Sequence, residues 1–206
     1  WGGFAKYAAQ NYKVSVVGIT VSKEQAEFAK KLCKGLPVEI RVQDYRDLEE
    51  RFDHIVSVGM FEHVGPKNYK TYFDVVKRCL KEDGLFLLHT IGILEGVANT
   101  DPWLNKYVFP NGALPYLSQI ALGVQKLFII EDIHNFGADY DKTLMQWHKN
   151  FNRAWPKFSA KYDERFFRMW NYYLLSCAGA LRARQLQLWQ ITLSHNGVPG
   201  GYKSIR

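Results

Sequence analysis

Four apolar, β-branched runs alternate with helical stretches through the first 92 residues of the chain, and that alternation limits the fold more than any other feature. The runs are KVSVVGIT (13–20), PVEIRVQD (37–44), FDHIVSVGM (52–60) and LFLLHTIG (85–92). Between them, FAKYAAQNY (4–12) has helical spacing. Ser22 with Gln25 forms a capping-box pattern that opens a helix to about Cys33, stopped by Gly35, and Pro66 opens a helix to about Leu80. EDG (82–84) reads as the turn into the fourth run. Strands that are apolar throughout and joined by helices predict a mostly parallel, doubly wound α/β sheet covered on both faces. With 206 residues, 47% of them hydrophobic, the chain can bury such a core as a single domain.

The second half has a different pattern. Residues 93–124 are rich in Pro, Gly and Asn and read as an insertion or lid. A strand is predicted over 126–137, a helix over 139–155, an amphipathic helix over 163–184, and a closing, alternating, antiparallel strand over 185–195.

Ligands of parallel sheets bind beyond the carboxyl ends of the strands. Here those ends read GIT, QDY, GMFEH and HTIG, so polar residues gather on one edge. Glu62 and His89 close consecutive runs joined by one helix, so their strands are expected to be neighbours. A carboxylate and an imidazole so placed can hold a small ion or move a proton. A metal site drawn from Glu62, His63, His89 and His134 lacks ligand spacing on any one element, and none is expected. Thr20 and Gln25 can bond ribose hydroxyls as neutral groups, although Gln25 has a capping role as its alternative. Asp44 can accept from an adenine amino group while Tyr45 stacks on the ring, and a solvated turn is the plain alternative. Tyr140 gains a role only if it reaches Glu62. The aromatics after residue 100 are core by default, but they can also line a tunnel for a long apolar ligand.

The 27 Lys and Arg against 20 Asp and Glu give a net charge of +7 with no basic run, which suits an anionic surface or substrate. No nucleic-acid reading motif is present. Three dispersed cysteines argue for reduced thiols. No apolar run approaches the ~20 residues of a membrane span.

WGGFAKYAA, VVGITVSKEQ, QDYRDL, IVSVGMFEHVGPKNY, FLLHTIG, DPWLNKYVFPNG, HNFGADYDKTL and CAGALRAR, in that order, resemble the bacterial cyclopropane-fatty-acyl-phospholipid synthases, with the mycolic acid cyclopropane synthases as more distant relatives. The resemblance covers essentially the whole chain. It implies a Rossmann-like class I methyltransferase fold. It also implies transfer of a methylene from S-adenosylmethionine to a cis double bond of a phospholipid acyl chain, with bicarbonate as the base. It carries a bicarbonate site onto Glu62, His89, the Ile91 backbone and Tyr140. Cofactor contacts fall on Trp1, Gly2, Thr20, Gln25, Asp44, Tyr45, Arg46 and Val58. The resemblance implies a cytoplasmic enzyme peripheral to the inner face of the membrane and is compatible with a homodimer. The family's first strand and D-x-G-x-G loop precede the position of Trp1. The resemblance therefore predicts an incomplete sheet with its first strand missing, and weak cofactor binding by this polypeptide alone. A small-molecule N-methyltransferase, which can share a FEH-like strand end, and a non-catalytic fragment are the alternative readings.

Overall fold

The computed structural model describes residues 1–94 and 101–205. The chain forms two compact units, 1–50 and 51–206. Part of the predicted 93–124 insertion, residues 95–100, lies outside the described residues.

The first unit runs α1 (Gly3–Tyr12), β1 (Val16–Thr20), α2 (Lys23–Leu32) and β2 (Val38–Val42), with β1 and β2 paired in parallel. Ala26 and Ala29 of α2 pack with Ile40 of β2 to make its small core. Gly2 caps α1 at a φ of 86°, and a Cβ there would come within 2.8 Å of the Ala29 Cβ. Glycine is therefore required at that position both for its backbone angle and for helix contact.

The second unit runs β3 (Phe52–Val58), α3 (Tyr69–Cys79), β4 (Leu80–Ile93), α4 (Pro102–Tyr107), α5 (Leu117–Val124), β5 (Ile129–Asn135), α6 (Gly137–Ala154), α7 (Glu164–Arg182) and β6 (Leu186–Ser194). Its sheet has the order β3-β4-β6-β5; β3 lies parallel to β4, and β6 is antiparallel to both its neighbours. Among the described residues the strands thus divide into two sheets, with parallel and antiparallel pairings equal in number, and the "mostly parallel" expectation needs that adjustment.

Two local expectations also change. EDG is not a free turn but part of β4: Leu80 pairs with Phe52 and Leu85 with His54, so residues between them bulge out of register. Strand β6 is not half-exposed. It is inserted between β4 and β5, and its polar residues Gln187, Thr192 and Ser194 are buried with the apolar ones. Gln187 donates to the Arg184 carbonyl at 2.6 Å, and Ser194 donates to Glu131, so these polar groups keep partners inside. The third free cysteine, Cys177, is half-buried on α7, while Cys33 and Cys79 are buried.

Candidate active site

The turn after β3 is built to hold one carboxylate indoors. Gly59, at a φ of 62°, turns the chain off the strand. Phe61 then drives into the core with no exposed surface, stacked on Tyr69 at 4.2 Å and packed against Tyr72 and Phe73. That anchor carries Glu62 in with it on a short 3-10 turn, Phe61–His63. The Ala113 N–H donates to the Glu62 carbonyl at 2.7 Å, and the Ile91 N–H of β4 donates to Glu62 Oε1, also at 2.7 Å.

Glu62 is only 8% exposed. Its second oxygen, Oε2, has no hydrogen-bond partner among the described residues. Burial pushes the carboxyl above its usual range, while the Ile91 N–H, its own N–H and the nearby Thr90 hydroxyl pull the other way; that hydroxyl donates to the Ile91 carbonyl and leaves Oε2 without a bond. A buried carboxylate oxygen without a partner is costly unless a ligand or proton satisfies it.

Tyr140, on the first turns of α6, lies within electrostatic reach of Glu62. Burial first, and the Glu62 and Cys177 charges second, raise its hydroxyl pKa. Burial and Glu62 likewise push Tyr69 up to about 12, and its hydroxyl is also buried without a partner among the described residues. Nothing in the sequence distinguished Tyr69 from an ordinary core aromatic.

His89 is two residues before Ile91 on β4, so the two share a strand face. Its ring packs on Phe136 at 5.7 Å and its Nδ1 faces the Gln190 Nε2 of β6 at 3.3 Å, with no hydrogen bond to Glu62 among the described residues. An amide nitrogen can only donate, so Nδ1 accepts and the neutral ring carries its proton on Nε2. Burial lowers the His89 pKa and keeps the ring neutral. Gln190 was not foreseen, although a polar residue amid LWQITL was a usable signal. Gln190→Leu is expected to release the Nδ1 acceptor and give a mixture of ring tautomers, read from the imidazole ¹⁵N shifts; an unchanged Nε2–H tautomer would remove Gln190 from this role.

An apolar cavity of about 390 Å³ lies in the same unit, lined by Tyr107, Val108, Phe109, Trp147, Met169, Trp170 and Tyr173. Phe109 packs on His63 at 6.3 Å, Trp147 on Tyr140 at 5.9 Å, and Tyr173 feels the Tyr140 charge. His63 itself is exposed and does not line the cavity. Glu62, His63, His89 and His134 do not gather into a metal-binding cluster among the described residues.

Of the residues expected to hold a cofactor, Trp1, Gly2, Thr20, Gln25, Asp44, Tyr45 and Arg46 belong to the first unit and Val58 to the second. The Thr20 hydroxyl donates to Gln25 Oε1 at 2.9 Å, at the carboxyl end of β1. The capping box is thus half formed: Ser22 Oγ accepts from the Gln25 N–H, but the Gln25 side chain turns to Thr20, and the Ser22 N–H donates to Thr20 as well. Asp44 is gripped by the Arg46 guanidinium at 2.7 and 2.9 Å, which lowers its pKa to about 2. Trp1 is exposed and meets Phe28 edge-on at 5.7 Å. Val58 is exposed at the end of β3, opposite His89 in the register.

The profile of the mycolic acid cyclopropane synthetase family matches residues 1–191. The chain belongs to that family. It is 59% identical over 206 residues, all of this chain and 54% of the relative, to the cyclopropane-fatty-acyl-phospholipid synthase of Escherichia coli K12. The chain spans about half the length of the Escherichia coli and Pseudomonas putida relatives it matches. Among solved structures it is similar to the cyclopropane synthase MmaA2 of Mycobacterium tuberculosis, with a TM-score of 0.87, 26% identity, and coverage of 94% of this chain and 74% of that one. It is also similar to the mycolic acid cyclopropane synthase CmaA1 complexed with SAH and CTAB, with a TM-score of 0.86, 27% identity and the same two coverages. These likenesses establish the Rossmann-like class I methyltransferase fold.

Proposed function

We propose that the protein transfers a methylene from S-adenosylmethionine to the cis double bond of a phospholipid acyl chain, closing a cyclopropane ring with bicarbonate as proton acceptor. The observation that carries the reading is Glu62: a carboxyl group 8% exposed, one oxygen held by the Ile91 N–H, the other unpartnered, within electrostatic reach of Tyr140, whose ring packs on Trp147 of the aromatic cavity. The name of the Escherichia coli relative and the SAH in the CmaA1 complex support the lipid substrate and the methyl donor.

When bound, S-adenosylmethionine supplies an electrophilic methyl group and bicarbonate supplies a base. The donor set suits both. Thr20 and Gln25 offer neutral groups to ribose hydroxyls, and the half-buried Tyr45 offers a flat face to adenine, with Gly2, Trp1, Asp44, Arg46 and Val58 as the remaining cofactor residues. Within the second unit, the unpartnered Oε2 of Glu62, the Nε2–H of His89 and the Tyr140 hydroxyl are the groups proposed to hold a small oxyanion. Two anions cannot share a dry site, and burial favours the proton on Glu62, so Glu62 offers an O–H rather than a second negative charge. The aromatic wall excludes water and stabilises the positive charge that methylation leaves on the acyl chain.

No helix of the described residues is long and apolar enough to cross a membrane. Access to acyl chains is proposed to come from docking at an anionic surface, favoured by the +7 charge. The test is mass-resolved gas chromatography of acyl esters from cells expressing the full natural protein, against an empty control. The expected result is a new species heavier by one methylene and lacking its double bond. Unchanged acyl chains from well-expressed protein would overturn the reading.

A further inference from the structure

The second unit holds another cavity, of about 250 Å³, lined by Trp103, Tyr107, Arg165, Arg168, Met169 and Tyr172. It shares Tyr107 and Met169 with the apolar cavity of the candidate active site. Its lining includes two guanidinium groups and no carboxylate. Arg165 donates to the Tyr107 hydroxyl at 3.3 Å and sits 5.8 Å over that ring. Lys106 Nζ lies 5.2 Å from the same ring centre. Arg165 and Arg168, three residues apart on α7, share a helix face, and like charges so placed repel. Neither forms an ion pair among the described residues. Two nearby acids are committed elsewhere: Asp101 caps the amides of Trp103 and Leu104, and Asp163 caps that of Phe166.

A guanidinium pair with no ion-pair partner among the described residues, although Glu164 lies one turn before Arg168 on α7, set among aromatic rings, suits a phosphate at the boundary between water and an apolar phase. The layout has a polarity. The cationic end lies at Arg165 and Arg168; past Met169 the lining turns apolar through Trp170 to Tyr173, which feels the charges of Cys177 and Tyr140. Along α7 the distance from Arg165 to Cys177 is about 18 Å, comparable to the span from a lipid phosphate to the middle of an extended acyl chain.

We propose that Arg165 and Arg168 bind the phosphodiester of a phospholipid headgroup, so that the acyl chain enters the apolar cavity and brings its double bond to Glu62. This inference rests on the lipid reading of the Glu62 site. It sets the direction in which the substrate lies and makes the phosphate a recognition element.

The test compares the full natural protein with R165Q/R168Q and with the charge-keeping R165K/R168K. Equilibrium binding is measured to neutral detergent micelles carrying either dioleoyl phosphatidylglycerol or dioleoylglycerol, which has the same chains without phosphate. Inorganic phosphate is the competitor, and turnover is recorded in parallel. The parent protein is expected to prefer the phospholipid. R165Q/R168Q should lose roughly ten-fold or more of that preference, and R165K/R168K should keep part of it. Inorganic phosphate at equal concentration should not displace the lipid. An unchanged preference in folded R165Q/R168Q would overturn the inference, as would equal displacement by inorganic phosphate, which would make this a free-phosphate site. The two readings fail separately. Normal turnover with unchanged preference sinks only the headgroup site; no cyclopropane product, with preference still lost in the variant, sinks only the chemistry.

Discussion

Glu62→Gln is expected to lower turnover roughly 10²- to 10⁴-fold, the range of a lost acid–base group, without unfolding the protein. The amide oxygen can still accept from the Ile91 N–H, so the bond that fixes the side chain survives. What is lost is the exchangeable carboxyl proton at Oε2: the amide N–H that takes its place can still donate to the oxyanion but cannot give up or regain a proton during turnover. Single-turnover assays of the full natural protein on unsaturated phospholipid vesicles, with cofactor binding measured separately, separate this loss from a binding defect. Turnover within about threefold of the parent would remove Glu62 from the chemistry, since even a modest acid–base contribution exceeds that.

The same variant reports on protonation. Burial raises the folded-state pKa of Glu62 above its ordinary 4.5, so the folded protein binds this proton more tightly than the unfolded chain. That contribution to stability is fully present below about pH 4.5 and is lost as pH rises through the folded pKa. Glu62→Gln has no such loss, so its stability relative to the parent should improve across that window. His89 acts in the opposite sense: its pKa is lowered, and its contribution is present above its ordinary 6.5 and lost as pH falls through the folded value. Because His89 is common to both proteins, the difference between parent and variant in urea denaturation at stepped pH isolates Glu62. A difference that stays flat between pH 4 and 8 would mean the carboxyl is not raised.

Much of this site could be read from the chain because its residues sit where strands end, and strand ends are marked by a change from apolar to polar residues. Glu62 and His89 were placed in that way, Ile91 came only from the family resemblance, and the neighbouring of β3 and β4 followed from the single helix between them. Tyr140 was conditional on reaching Glu62; the Glu62 charge helps raise its hydroxyl pKa, but no hydrogen bond joins the two among the described residues. The misses share a cause. In β6, alternation of polar and apolar residues suggested a wet face, yet insertion between two strands buries both faces, and no local pattern encodes which neighbours a strand acquires. Gln190 was hidden by that misreading. Arg165 and Arg168 sit on a helix whose amphipathic spacing was legible, but charge on a helix face ordinarily means solvent. Only the cavity under them gives the pair a direction.

Gly92→Ala is expected to be the most damaging small substitution in the second unit. Gly92 has no special backbone angle; the constraint is space. A Cβ there would overlap Cζ3, Cη2 and Cε3 of Trp189, which is 3% exposed on the neighbouring strand β6. The ring has no room to retreat, so either β4 shifts or Trp189 leaves its rotamer, at a cost of roughly 1–3 kcal/mol or more. In a unit of this size each kcal/mol lowers Tm by about 2–4 °C. A strand shift also moves Ile91, the adjacent residue, whose N–H holds Glu62. Activity should therefore fall further than the unfolded fraction explains. Gly179→Ala on α7, where a Cβ meets nothing within 4 Å, is the control and should be neutral or stabilising. Trimming the ring in Gly92→Ala/Trp189→Leu should recover part of the lost activity if the clash is the cause. A Gly92→Ala protein with parental Tm and activity would show that Trp189 moves freely and that the Glu62–Ile91 contact does not depend on this packing.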